Sequence, residues 1–348
     1  MTELLRVRNL KVTFETYLGP VEAVRGVDLS IHQGETVAIV GESGCGKSVT
    51  ARAIMRLHRR EQVRVSADDM LLGAHDLQSL SHTQLRRLMG SEMAMVFQDP
   101  MSSLNPTMRI GKQIMEVLTQ QLRLGHTEAR QRAIAALHEV GIPEAERRFD
   151  HYPHQFSGGM RQRVMIAIAL ACRPKLLFAD EPTTALDVTI QAQILELLAE
   201  LRSKLGMSVV LITHDLSVVA GSCDRVYVMY AGRIVEEGTV DQIFTRPQHP
   251  YTRALLQAVP NPNMLGLQNL RTIGGSPPNL RTPPSGCSFH PRCPHAMKLC
   301  STHCPPLELT TRGQASACWL HHPHGMETLH PRDADHIDPW IPSTQELA

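Results

Sequence analysis

Residues 41–48 read Gly-Glu-Ser-Gly-Cys-Gly-Lys-Ser, and they are the strongest indication of the fold in this sequence. It matches the G-x-x-x-x-G-K-S phosphate-loop pattern, whose glycines let backbone N–H groups curl around a phosphate. The apolar residues 36–40 predict a strand before the loop, and residues 48–57 predict a helix behind it. A strand, this loop and a helix in that order predict a nucleoside triphosphate site, whereas a chance glycine-rich turn would lack both flanks.

Within the loop, two side chains have distinct predicted roles. Lys47 would place a positive charge at the β- and γ-phosphates, and Ser48 would offer its hydroxyl to Mg²⁺. The positive end of the following helix would add to the attraction for phosphate. The other residues predicted to contact the nucleotide here are Gly41, Ser43, Gly44, Cys45, Gly46 and Val49.

Further apolar runs end in polar residues. Residues 176–179 lead into Asp180 and Glu181, so one carboxylate could hold the metal while its neighbour activates water. Gln98 and His214 each follow an apolar run in the same way. Taken alone, an acidic pair that only ends a strand, or a structural histidine, would be the better explanation of these positions.

A third motif, Ser157-Gly158-Gly159, opens a long helical run that extends to Ala171. Ser157 is a favourable N-cap residue, and Pro174 helps to end the helix. A helix N-terminus beside small residues can bind an anion. A nucleotide already held by its own phosphate loop does not need a second anion site. The turn is therefore predicted to contact something other than that nucleotide.

Composition narrows the class of protein. The chain has 348 residues, of which 42 % are hydrophobic and 20 % charged, with a net charge of +1. This balance argues against a nucleic-acid-binding surface, which needs clustered Lys and Arg. No run approaches the ~20 apolar residues that span a bilayer, and residues 1–6 do not resemble a signal peptide. We therefore expect a soluble chain that remains in the cytosol.

Strands alternate with helices over most of the chain, which predicts an α/β fold with a mainly parallel sheet covered on both faces. Helical spacing between about residues 99 and 172 predicts an insertion in a nucleotide-binding domain that covers 1–259. Proline and glycine dominate after that point, so we expect a small loop-rich appendage over 260–322. The remaining residues, 323–348, have no apolar period and predict a poorly ordered tail.

Five of the eight cysteines crowd the appendage, between residues 287 and 318. In a reducing cytosol such a group favours a metal site over disulfides. Thiolates at this density suit zinc or an iron–sulfur cluster, and the lack of a C-x-x-C pair argues against a zinc ribbon. Reduced structural thiols remain an alternative on spacing alone.

The three motifs, in this order, resemble the ATPase subunit of ABC transporters. Residues 95–106, 152–163 and 249–256 carry the likeness further, to the ATPases of dipeptide and oligopeptide importers. This resemblance spans roughly residues 4–320. Residues 179–187 and Met160, where many family members have Gln, are similar to the first of the two ATPases that usually pair in such importers.

The resemblance implies a role for each matching residue. Asp180 would serve Mg²⁺, and Glu181 would polarise the attacking water. Gln98 would be the switch glutamine that reaches metal and water, and His214 the switch histidine at the γ-phosphate. Phe14 takes the place of the aromatic residue that stacks on adenine, with Tyr17 as the alternative.

The family also gives the Ser-Gly-Gly turn a partner. Ser157, Gly158 and Gly159 would bind the γ-phosphate held by a second subunit, so that two ATP molecules lie between two heads. Residues 185–187, including Asp187, would lie at the same interface. The implied partners are a second homologous ATPase, two transmembrane permease subunits and an extracytoplasmic peptide-binding protein, with no nucleic acid. The chain would then lie at the cytoplasmic face of the membrane.

For the appendage, the resemblance implies a 4Fe–4S cluster. Its ligands would be Cys287, Cys293, Cys300 and Cys318, and Cys304 could replace Cys300. The rival class is a soluble ABC ATPase that acts on DNA or ribosomes. Such proteins typically carry two nucleotide heads or a long coiled-coil insertion, and this sequence has a single head with a short insertion.

Overall fold

The computed structural model describes residues 2–58, 62–184, 186–259, 273–310 and 313–322. No helix in these ranges is long and apolar enough to cross a bilayer. The strands are, in chain order, β1 (Glu3–Thr16), β2 (Gly19–His32), β3 (Thr36–Val40), β4 (Val63–Ser66), β5 (Asp69–Leu72), β6 (His75–Asp76), β7 (Met93–Val96), β8 (Leu176–Asp180), β9 (Ser208–Thr213), β10 (Arg225–Tyr230), β11 (Arg233–Thr239), β12 (Glu308–Leu309) and β13 (Ala315–Ser316). The helices are α1 (Lys47–Ile54), α2 (His82–Leu88), α3 (Pro100–Ser103), α4 (Ile110–Leu122), α5 (His126–Glu139), α6 (Ala145–Arg148), α7 (Gly158–Leu170), α8 (Val188–Leu205), α9 (Leu216–Ala220), α10 (Val240–Thr245), α11 (Pro250–Gln257) and α12 (Lys298–Thr302).

The chain divides into two compact units. Unit 1 comprises Met1–Arg6, Ser30–Thr36 and Leu71–Ile212. Unit 2 comprises Val7–Leu29, Val37–Met70 and the chain from Thr213 onward. The predicted boundary after Val259 adjoins residues 260–272, and the predicted tail begins at 323. Both lie outside the described residues, so the predicted domain division stays a prediction.

Three parallel strands form the centre of unit 1. Strand β7 pairs with β8, where Val96 lies opposite Ala179, and β8 pairs with β9, where Ala179 lies opposite Leu211. Every residue of these three strands, β9 included up to Thr213, is buried. Continuous apolar runs are typical of parallel strands that are covered on both faces. Since parallel strands end at the same edge, Gln98 and Asp180 emerge at that edge of unit 1.

Helices α3 to α7 occupy the stretch predicted as a helical insertion. Their apolar faces form one core cluster, in which Ile110, Phe149 and Val164 are buried. Gly111 allows close contact, because a Cβ there would lie 2.3 Å from the Phe149 ring. Helix α7 begins where the sequence predicts, after Ser157, whose hydroxyl accepts a hydrogen bond from the N–H of Met160 at 3.3 Å.

In unit 2, β3 leads into the phosphate loop. It pairs in parallel with β10, where Val40 lies opposite Val228, and β10 pairs antiparallel with β11. The short strands β13 and β12 extend this arrangement from β11. Separately, β1 pairs antiparallel with β4, and Phe14 lies opposite Val63.

The described residues between 287 and 318, called here the cysteine-containing segment, pack against the strands of unit 2. Phe289 is buried against Tyr230 of β10 and Tyr251 of α11, with ring centroids 5.3 and 5.4 Å away. The fully buried carboxylate of Glu236 accepts hydrogen bonds from the N–H of His249 at 2.9 Å and from the side-chain amide of Gln314 at 2.8 Å. A buried carboxylate needs hydrogen-bond partners. Those of Glu236 come from the residue before α11 and the residue before β13, so this side chain links both segments to β11.

Candidate ATP site

The phosphate loop connects β3 to α1 in unit 2, and its backbone requires glycine at two positions. Gly41 and Gly46 have φ values of 151° and 110°. A Cβ on Gly41 would lie 2.1 Å from the carbonyl oxygen of Met229, and one on Gly46 would lie 2.5 Å from that of Ala23. Any side chain there would collide with backbone, so the glycines of the motif are also packing requirements of the fold.

Lys47, the first residue of α1, has a buried side chain that is held inside the loop. Its Nζ donates to the carbonyl oxygens of Gly41 at 2.7 Å and Glu42 at 3.0 Å. Ser43 and Gly44 at the tip of the loop are exposed. The ammonium group therefore lies within a loop whose outer residues face solvent, which suits the capture of a phosphate group.

Cys45 and Val49 flank this lysine, and Ser48 follows it. Burial raises the pKa of the Cys45 thiol, and the nearby ammonium of Lys47 only partly opposes the shift. The thiol is therefore neutral at neutral pH and adds no negative charge beside the phosphates. Ser48 and Val49 are half-buried in the first turn of α1.

The adenine-stacking residue stays a prediction. The Phe14 ring is half-buried on β1 and meets the imidazole of His58 edge-on, with ring centroids 5.5 Å apart. Tyr17, the alternative, is 95 % exposed. Both rings belong to unit 2, as does His214, which follows β9 and is exposed.

The predicted catalytic carboxylates lie in unit 1, where β8 ends. Asp180 is fully buried, whereas Glu181 has a left-handed φ of 46°. Glu181 Oε2 accepts hydrogen bonds from Gln98 Nε2 at 2.7 Å and from the hydroxyl of Thr184 at 2.9 Å. A non-glycine residue in this conformation is held by its surroundings, and such residues cluster at functional sites. The structure thus brings Gln98 and Glu181 together and adds Thr184, which the sequence did not indicate as a site residue.

The Ser-Gly-Gly turn lies at the surface of unit 1, beside the start of α8. Ser157 and Gly158 are exposed. Gly159 packs so closely on Ile190 that a Cβ would lie 2.7 Å from its Cγ2. Asp187 caps α8 by accepting a hydrogen bond from the N–H of Ile190 at 2.9 Å. The two predicted interface segments are therefore neighbours within unit 1, while Ala185 lies outside the described residues.

The residues predicted to hold Mg²⁺ lie in different units, Ser48 in unit 2 and Gln98 and Asp180 in unit 1. The predicted ligands are a hydroxyl from Ser48, an amide from Gln98 and the buried carboxylate of Asp180, and oxygen ligands are those that Mg²⁺ prefers. The Asp180 side chain is completely removed from water. These roles stay predictions.

The four predicted cluster cysteines are buried or half-buried, whereas Cys304 is exposed. Burial, with a smaller contribution from neighbouring thiols, raises the pKa of Cys287 to about 11 and that of Cys293 to about 12. Burial raises the pKa values of Cys300 and Cys318 as well. The thiols are therefore protonated at neutral pH, and a metal would have to displace these protons.

The arrangement of these thiols does not form a ready metal site. Over the described residues, no group of three or more His, Cys, Asp or Glu side chains is placed to hold a metal ion. The N–H of Cys287 donates to the carbonyl oxygen of Cys300 at 2.8 Å, which joins these two residues through the backbone.

Comparison with known proteins identifies the family of the chain. The ABC transporter family matches residues 24–184, and the family described as "Oligopeptide/dipeptide transporter, C-terminal region" matches residues 235–300. The oligopeptide transport ATP-binding protein OppD of Bacillus subtilis (strain 168) is 51 % identical over 93 % of this chain and 90 % of that protein. The dipeptide transport ATP-binding protein DppD of the same organism is 50 % identical over 92 % of this chain and 95 % of that protein.

Solved structures give the same class. An ATP-binding cassette solved as a dimer bound to ADP and Pi has a TM-score of 0.60 and 29 % identity, and the match covers 68 % of this chain and 98 % of that one. The cbiO1 protein from Clostridium perfringens, part of the ABC transporter complex cbiONQ, also has a TM-score of 0.60, with 30 % identity over 70 % of this chain and 91 % of that one. The fold and site thus define a phosphate-loop ATPase. The chain belongs to the ABC transporter family, among its ATP-binding subunits. The predicted family, fold class and ATPase activity are confirmed.

Proposed function

We propose that this ATPase energises the import of dipeptides or oligopeptides across the cytoplasmic membrane. The observation that carries the proposal is the extent of the match to peptide-transport ATP-binding proteins. It covers more than nine-tenths of this chain at about half identity and includes the C-terminal region specific to such transporters. A generic ABC ATPase would account for residues 24–184 but not for the match over 235–300.

We propose that phosphate binding, metal binding and proton acceptance at this site are carried out by different residues. Lys47 and the backbone of the phosphate loop bind the β- and γ-phosphates. Ser48, Gln98 and Asp180 would hold Mg²⁺, and the ion would supply positive charge that offsets the charge of the phosphates. Glu181 accepts a proton from the attacking water, and its hydrogen bonds from Gln98 and Thr184 fix the carboxylate for that step.

The proposed assembly contains two ATPase heads, two transmembrane permease subunits and an extracytoplasmic peptide-binding protein. Ser157 and Gly158 are exposed at the start of α7 and can face the γ-phosphate of a nucleotide bound to the other head. A related cassette was solved as a dimer with ADP and Pi, which supports pairing of heads. ATP binding would close the heads, hydrolysis would open them, and the chain would act peripherally at the cytoplasmic face.

Assembly should govern activity. The isolated chain should bind ATP weakly and hydrolyse it slowly, because its site lacks the Ser-Gly-Gly turn of the opposing head. Adding the second ATPase and the permease subunits should raise turnover by ~10²-fold, the scale expected for supplying a missing electrostatic contact to the transition state. Steady-state phosphate release against protein concentration measures this. Full, concentration-independent activity in a monomer would contradict the two-head site.

Co-purification separates this function from its rival. Recovery of the chain with two polytopic membrane subunits supports the importer. Recovery with ribosomes or DNA, and with no membrane protein, would support a soluble ABC ATPase instead.

We further propose a structural 4Fe–4S cluster on Cys287, Cys293, Cys300 and Cys318. The support is chemical: four cysteines at a spacing that lacks zinc-type pairs, in a segment rich in proline. Of the two cysteines considered for the third position, Cys300 is buried and Cys304 is exposed, which favours Cys300.

Metal analysis tests this proposal. Protein purified without oxygen should be brown and contain about four irons per chain. Cys287→Ser or Cys318→Ser should lose that iron, whereas Cys304→Ser should retain it and serves as the matched control. Stoichiometric zinc, or no metal at all in the anaerobic protein, would refute the cluster.

A further inference from the structure

The second residue of the phosphate loop, Glu42, is bound by an arginine from the cysteine-containing segment, 250 positions along the chain. Arg292 Nη1 donates to Glu42 Oε2 at 2.7 Å, and Nη2 donates to Oε1 at 2.9 Å. Both N–H groups thus engage one carboxylate in the fork geometry that makes arginine–carboxylate pairs strong and directional. The Arg292 side chain is 5 % exposed and that of Glu42 is 22 % exposed, so water screens this pair only weakly.

Arg292 is itself rigidly held. Its Nε donates to the carbonyl oxygen of Gly274 at 2.8 Å, and its other nitrogens reach the carbonyl oxygen of Ile273 and the hydroxyl of Tyr230, each at 3.3 Å. The guanidinium also lies over the Tyr230 ring, 5.9 Å from the centroid. These contacts fix the arginine before any nucleotide arrives, and all of them belong to unit 2.

Residue 42 is held at three points. Arg292 binds its carboxylate, the hydroxyl of Tyr251 accepts its N–H at 2.8 Å, and Lys47 Nζ donates to its carbonyl oxygen. Tyr251 is fully buried in α11. Residue 42 lies next to Gly41, whose left-handed backbone sets the curl of the loop. A loop that is already held in its binding shape loses less conformational entropy when the nucleotide binds.

The ion pair also has an electrostatic consequence. A carboxylate one residue from Gly41 lies in the loop that receives a polyanion, and an unpaired charge there would repel phosphate. Arg292 cancels this charge and directs the carboxylate toward the C-terminal segment. We infer that Arg292 is a positioning residue for ATP binding, which keeps Glu42 neutralised and the phosphate loop in its binding shape. This inference rests on the ATPase activity of the family and not on the identity of the imported substrate.

The test is a double-mutant cycle on the full chain, with dissociation constants for MgATP as the readout. Arg292→Gln should weaken MgATP binding by about 10-fold, since it leaves the carboxylate of Glu42 unpaired in the loop. Glu42→Gln should weaken binding by only about threefold, because the loop loses an anchor but gains no free charge. The double variant, Arg292→Gln with Glu42→Gln, should bind as well as Glu42→Gln alone.

This recovery separates positioning of the loop from a purely structural role. Arg292→Gln breaks the contacts to Gly274 and Ile273 in both backgrounds, so a structural role predicts that the double variant binds as poorly as Arg292→Gln. Arg225→Gln is the matched control, because it removes a partly buried ion pair with Glu237 in the same unit and should not change MgATP binding. Arg292→Lys keeps the positive charge but cannot form two parallel hydrogen bonds to the carboxylate. Its affinity for MgATP should lie between those of the wild type and Arg292→Gln, so it still tests the inference if Arg292→Gln folds poorly.

The outcomes are distinct. MgATP binding by the wild-type chain tests the ATP assignment itself, and the ratios between variants test Arg292. Unchanged binding in Arg292→Gln, or a double variant that fails to recover, would overturn the inference.

Discussion

Glu181→Gln is expected to leave MgATP binding near the wild-type value while lowering steady-state hydrolysis by the assembled complex ~10²-fold or more, the scale of losing a general base. The substitution keeps the size of the side chain and an oxygen acceptor for the amide of Gln98 and the hydroxyl of Thr184. The local fold should therefore persist, because only the ability to accept a proton from water is removed. Asp180 remains available to the metal.

Phosphate release and nucleotide binding, measured on the same preparation, check this expectation. Glu200→Gln, an exposed carboxylate on α8, is the matched control and should hydrolyse ATP at the wild-type rate. Near-normal hydrolysis by Glu181→Gln would refute the role of Glu181. Loss of ATP binding would show instead that this carboxylate holds the nucleotide.

Lys47→Ala should have the second large effect, on binding. Its ammonium is buried in the loop and donates to two loop carbonyl oxygens, so its removal takes away both the phosphate charge partner and an internal brace. Hydrogen bonds to charged groups contribute about 1.5–3 kcal/mol each. Affinity for MgATP should therefore fall ~10²-fold, which calorimetric titration can measure.

Lys112→Ala serves as the control for this variant, because Lys112 is an exposed lysine on α4 outside the phosphate loop. It should bind MgATP like the wild type. Equal affinities of Lys47→Ala and Lys112→Ala for MgATP would show that Lys47 does not bind the phosphates.

Strands and helix starts that depend on a short stretch of sequence could be predicted from that stretch. The apolar runs of β3, β8 and β9 predicted fully buried parallel strands, and Ser157 predicted the start of α7 through its capping hydrogen bond. Gln98 and Glu181 were each predicted to follow an apolar strand, and each follows a buried strand in the structure. In each case a short stretch determines its own conformation.

Contacts between distant segments could not be read from periodicity. Arg292 appeared only as part of a cysteine-rich stretch, and nothing in the spacing indicates a partner in the phosphate loop. Strand β13 adds to β11 through two residue pairs, too short a stretch to carry an alternating pattern. The appendage was predicted only as a small loop-rich stretch, yet Phe289 packs between tyrosines of β10 and α11. Such packing depends on the topology of the whole unit.

ATP hydrolysis by this chain is proposed to energise peptide import. The most direct test of this proposal is uptake of labelled di- and oligopeptides into proteoliposomes that contain the complete complex with its binding protein. ATP supplied on the side of the ATPase subunits should drive accumulation of peptide against its gradient, and the same complex carrying Glu181→Gln should accumulate none. Equal uptake with and without ATP, or accumulation by the Glu181→Gln complex at the wild-type rate, would contradict the claim.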